Sequence, residues 1–121
     1  MSPLRPAVFA LLLMPFLVAP ALAHAALDHA TPGAGSTVHK SPPQLKLWFT
    51  EEIEPAFSSV AVFDASGHEV DKRDAAASAD DKKMLVVSVP PLLPGRYKVV
   101  WRVVAADTHK TEGSYAFVVA P

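Results

Sequence analysis

Pro94-Gly95-Arg96-Tyr97-Lys98-Val99-Val100-Trp101-Arg102-Val103-Val104 decides the fold. From Arg96 onward, Tyr97, Val99, Trp101 and Val103 fall on one side of an extended chain. Lys98, Val100, Arg102 and Val104 fall on the other. A period of two with β-branched and aromatic residues is a strand signature, and no helix can present those residues on one face. Pro94-Gly95 is a turn signal at its start. A tyrosine just inside a strand after such a turn resembles a tyrosine corner, and a core aromatic at a strand start reads equally well there.

The same period recurs on both sides. Leu45, Leu47 and Phe49 alternate with Gln44, Lys46 and Trp48, and Val60, Val62 and Asp64 alternate with Ala61 and Phe63. Met84 to Val89 is a short β-branched run, and Ser114 to Val119 reads as the last strand. Turn residues separate these runs: Pro32-Gly33, Gly35-Ser36, Ser41-Pro42-Pro43, Ser66-Gly67 and Pro90-Pro91. Ala75 to Asp81 is small and polar and predicts a loop or a single helical turn. There is no amphipathic segment of helix length and no internal repeat. Short strands bounded by turns predict an all-β sandwich or barrel.

The 121 residues carry 11 Lys and Arg against 12 Asp and Glu, and no cysteine. No basic stripe stands out, so nucleic acid is not an expected partner. Without cysteine there can be no disulfide, no thiolate zinc or iron–sulfur site and no blue-copper centre. The hydrophobic core alone must hold the fold.

Residues 1–23 read as a secretory signal: Arg5, an apolar run from Ala7 to Ala19, then the small-x-small triplet Ala21-Leu22-Ala23. The run is short of the roughly 20 residues of a membrane span. A second triplet, Ala23-His24-Ala25, offers a cut two residues later. Cleavage after Ala23 leaves one domain, 24–121, that begins with His24. Its α-amine and Nδ1 can then close a six-membered chelate on one metal ion. Both groups bind only when deprotonated, from reference pKa values of about 7.7–8.0 and about 6.5, so binding weakens in acid.

Asp107-Thr108-His109 supplies complementary donors. In extended backbone, residues two apart face the same way, which points the carboxylate and imidazole together. Two imidazoles, one amine and one carboxylate suit a tetragonal Cu(II) centre, and the Irving–Williams order favours copper over zinc. Ala26 excludes the chelate that needs His at mature position three. Met84 is the only methionine after residue 23, too few soft donors for a Cu(I) site. His39 and His68 read as solvated loop residues. His29 lies nearer the chain start but has no ligand spacing around it. Glu51-Glu52-Ile53-Glu54 reads as a solvated edge, and no serine has the setting of a hydrolase nucleophile.

Taken in order, several segments resemble the CopC family of exported copper-binding proteins. They are His24-Ala25, Ala30-Thr31-Pro32 with Gly35-Ser36-Thr37-Val38, Leu45-x-Leu47-x-Phe49-Thr50-Glu51, Leu93-Pro94-Gly95-x-Tyr97-x-Val99-x-Trp101-Arg102-Val103-Val104, Ala106-Asp107-x-His109 and Gly113-x-Tyr115-x-Phe117-x-Val119. The resemblance implies a Greek-key sandwich or barrel of about seven strands. It implies one Cu(II) per chain on His24, Asp107 and His109, with Glu51 as a supporting partner of the ligands. It further implies a periplasmic, monomeric copper storage, buffering or delivery protein that works with an inner-membrane protein of the CopD type. The chain departs from some members in lacking a methionine-rich loop and in carrying Ala26 and Thr108. Two other readings stay open on the residues alone. One is a copper monooxygenase, which also uses a terminal His, and the other is a metal-free immunoglobulin-like module.

Overall fold

The structure is a computed structural model that describes residues 25–121. The signal reading of 1–23 and the position of His24 lie outside the described residues. Eight strands follow in chain order: β1 (Leu27–Thr31), β2 (Thr37–Val38), β3 (Gln44–Phe49), β4 (Ser59–Phe63), β5 (Ala76–Ala77), β6 (Met84–Ser88), β7 (Gly95–Val104) and β8 (Lys110–Val119). A single 3-10 turn, Pro55–Phe57, leads into β4. The strands form two four-stranded sheets, ordered β1-β3-β6-β5 and β2-β8-β7-β4. The connections from β3 to β4, β4 to β5 and β6 to β7 each cross between sheets, as in a Greek-key sandwich. The count of eight exceeds the expected seven because β2 and β5 are two-residue edge strands.

The deciding stretch behaves as its period dictates. Tyr97, Val99, Trp101 and Val103 are buried, whereas Arg96, Lys98 and Arg102 are exposed. Leu45, Leu47 and Phe49 meet them from the other sheet, with Leu85 and Val87 of β6 alongside. Phe49 and Trp101 join the sheets edge to face, their ring centroids 5.3 Å apart. Each such side chain contributes about 1.5–3 kcal/mol on burial. The Tyr97 hydroxyl donates to the Leu93 carbonyl at 2.6 Å, which is the tyrosine corner.

Some elements differ from expectation. Ala75 to Asp81 holds β5, which pairs with β6 at the sheet edge through Ala76 and Ala77. Its residues have no strand propensity of their own, and the neighbouring strand imposes the conformation. The last strand starts at Lys110, four residues early, because β7 pairs with it from Val104↔Lys110 to Gly95↔Val119. Asp64 lies beyond β4 and accepts hydrogen bonds from the amides of Ser66 and His68 in the following turn.

Candidate metal centre

The β7–β8 hairpin turns through Ala105 to His109 at one end of the sandwich. Ala105 is fully buried and bridges to Ile53, and the Ala106 amide donates to the Glu52 carbonyl at 2.9 Å. Glu54 N donates to Val104 O at 2.7 Å. The acidic segment after β3 is thereby pinned against the hairpin, and Glu51, Glu52, Lys83 and Asp107 line a common open cleft.

Within the turn the backbone is not extended. Thr108 has a φ of +77°, and its amide donates to Ala105 O at 2.8 Å. The premise of an extended Asp-x-His is therefore corrected, although the two side chains do converge. His109 Nδ1 lies 3.2 Å from Asp107 Oδ2, and the His109 amide donates to Asp107 Oδ1 at 3.1 Å. Asp107 thus holds an Asx turn, the usual way an Asp two residues ahead organises a tight loop. Both side chains are roughly half exposed, at 46% and 48%.

The spacing is that of an ordinary His–Asp pair, and the same two groups could serve as donors to one ion. Two donors at about 2.0–2.1 Å and a right angle on one ion stand about 2.9 Å apart, close to the observed 3.2 Å. Among the described residues no group of three or more His, Cys, Asp or Glu can hold a metal.

The first described residues arrive at the same end. Ala25 is fully buried, and its carbonyl accepts a short hydrogen bond from Thr111 Oγ1, two residues beyond His109. The Ala26 amide donates to Thr50 Oγ1 at 3.0 Å, and the Thr50 amide returns a bond to Ala26 O at 2.9 Å. Sequence reasoning missed both threonines. The available signal was Thr111 itself, a polar residue on the inward side of a strand where the period calls for an apolar one.

The other described histidines have different partners or lie at the surface. His29 on β1 stacks on Trp48 at 4.3 Å and engages Asp28 Oδ2 through Nδ1 at 2.6 Å. His39 and His68 are exposed.

Fold and end-loop cluster together define a small β-sandwich that carries its polar chemistry where the hairpin turns. The chain belongs to the CopC family, whose CopC domain matches residues 27–120. It is similar to Protein YobA of Escherichia coli (strain K12), 37% identical over 105 residues and 85% of each chain. Among solved structures it is similar to CopC from Methylosinus trichosporium OB3b, with TM-score 0.77 and 39% identity across 81% of this chain and 95% of that one. It is also similar to PcoC, a methionine-rich copper resistance protein from Escherichia coli, with TM-score 0.71 and 35% identity across 80% and 99%.

Proposed function

We propose that the chain is an exported copper-handling protein that binds one Cu(II) for storage, buffering or delivery and catalyses no reaction. The amine and imidazole of His24, freed by removal of residues 1–23, bind together with Asp107 and His109. Glu51 orients that set from the adjoining cleft. The observation that carries this reading is the hydrogen bond between Thr111 and the Ala25 carbonyl. That bond ties Ala25, the residue that follows His24 in the sequence, to the strand that follows His109.

Family membership supports copper as the cargo, since the related PcoC is a copper resistance protein. The donor set favours the oxidised ion: three nitrogens and an oxygen suit Cu(II), and Met84 is the only thioether after residue 23. The protein works in the periplasm as a monomer, passes copper to or from an inner-membrane protein of the CopD type, and has no nucleic-acid partner.

The test is a Cu(II) titration of the chain beginning at His24, followed by electron paramagnetic resonance. A tight 1:1 type-2 signal that is lost in His109→Ala supports the reading. No such signal, or one unchanged in His109→Ala, sinks it. Ascorbate-driven oxidation of chitin or cellulose by the copper-loaded protein would instead establish the monooxygenase reading. In that reading Asp107 has to vacate the position that oxygen needs.

A further inference from the structure

We propose that Thr111 is a positioning residue that sets the start of the chain in register with His109. The inference rests on the copper reading above and names what fixes its geometry.

Thr111 stands opposite Val103 in the β7–β8 register, on the side of β8 that faces the core. Further along that side come Phe117 and Val119, both buried. The part-buried hydroxyl lies on that inward side, at the edge of an open cleft that Val103, Val104 and Arg102 also line. It donates to the Ala25 carbonyl. The Ala25 methyl group is itself fully buried, so the peptide is held by packing as well as by the hydrogen bond.

The next peptide is held from the opposite sheet, where Thr50 follows β3 and exchanges two hydrogen bonds with Ala26. Two threonines, one per sheet, therefore grip consecutive residues. Thr111 alone grips the residue bonded to His24. Its own backbone lies two residues from His109, about 7 Å along an extended strand. Ala25 and the hairpin are thereby registered to one another before any metal arrives.

That arrangement has a binding consequence. A chelating residue whose neighbour in the chain is already held has less conformational freedom to lose when it binds, so more of its contacts appear as affinity. Freeing the Ala25 peptide makes ordering part of each binding event. Loss of a group that orients metal ligands typically weakens affinity 10- to 100-fold.

The experiment uses the chain beginning at His24, with Cu(II) as the probe. Thr111→Val keeps the shape and removes the hydroxyl, and Thr111→Ser keeps the hydroxyl. Competition with a chelator gives the dissociation constant, electron paramagnetic resonance reports the nitrogen donors, and thermal unfolding of the metal-free chain reports the fold. We expect Thr111→Val to bind about 10- to 100-fold more weakly with an altered spectrum, and Thr111→Ser to recover both. A purely structural threonine would shift the unfolding midpoint and leave the spectrum alone. Thr111→Val with parental affinity and spectrum overturns the proposal, as does Thr111→Ser no better than Thr111→Val. If Thr111→Val fails to fold, Thr111→Ala replaces it in the same comparison. His109→Ala separates the two levels: parental binding there overturns the copper site itself. Lost binding there with parental Thr111→Val overturns only the positioning role.

Discussion

Thr108 carries a φ of +77° between the two loop donors, a conformation that β-branched residues rarely adopt. The left-handed region costs a non-glycine residue roughly 1–2 kcal/mol, while a glycine there has more freedom to lose on folding, by about 0.5–1 kcal/mol. The two effects predict that Thr108→Gly is neutral to about 1 kcal/mol stabilising, as read from urea denaturation. A clear loss of stability would show that the threonine side chain itself holds the turn. Gly113 lies opposite Trp101 in the strand register, and a Cβ there would sit 2.6 Å from Trp101 Cζ2. The indole cannot step aside, because its ring already packs on Phe49. Gly113→Ala is therefore expected to destabilise by about 1–3 kcal/mol in the same assay. At this scale the sequence showed Asp107 and His109 plainly, since their spacing and chemistry are local. It did not show that a turn, and not a strand, makes them converge, because the φ of Thr108 is set by the hairpin that closes around it. Thr111 offered only the signal of a polar residue on an inward face, and its partner Ala25, 86 residues away in sequence, could not be read from it.

Strands were legible in proportion to how much core they bury. β3, β4 and β7 alternate over five or more residues and β6 is a short β-branched run, so all four could be read directly. β1 contains Asp28 and His29 on exposed positions, and β2 and β5 have two residues each, so their hydrogen bonds come from neighbours and not from pattern. The segment between β4 and β5 shows how side chains finish edges that short strands leave open. Buried Asp71 accepts the Val62 amide of β4 at 2.8 Å and the Arg73 amide at 3.1 Å. Asp71→Ala leaves a buried strand amide unsatisfied and is expected to cost about 1–3 kcal/mol. Three residues on, Asp74 accepts the Ser88 amide of β6 at 2.8 Å. Hydrogen bonds from Ser88 hold the Asp74 carboxyl below its ordinary value. A carboxyl with a lowered folded-state pKa stabilises fully above its unfolded value of about 3.9, and that share disappears as the pH falls through the folded value. Asp74→Asn should therefore flatten the acid limb of the stability curve below about pH 5, with little change of slope above it. Parallel curves for the two proteins in that window would refute the assignment.

Across the whole molecule, the chain start, the acidic segment after β3 and the β7–β8 hairpin meet at one end, with both sheets contributing. The described core runs from Ala25 to Val119. The sandwich needs these apolar layers, and the proposed site needs in addition a terminus cut before His24. A ligand that binds only the folded chain raises stability by RT ln(1 + [L]/Kd), about 2.7 kcal/mol at a hundredfold excess over Kd. For a domain of this size such a gain lifts the unfolding midpoint by roughly 10 °C or more, since 1 kcal/mol is worth about 4–8 °C. Two further proteins locate the effect. Mature His109→Ala should unfold near the metal-free midpoint with or without Cu(II), because one of the cross-sheet donors is gone. A chain with a single glycine ahead of His24 should unfold at the parental metal-free midpoint and gain much less from Cu(II), because its amine has moved beyond the chelate ring. If that extended chain gained as much as the parent, the α-amine would not be a ligand, and the dependence on the cleavage position would fall with it.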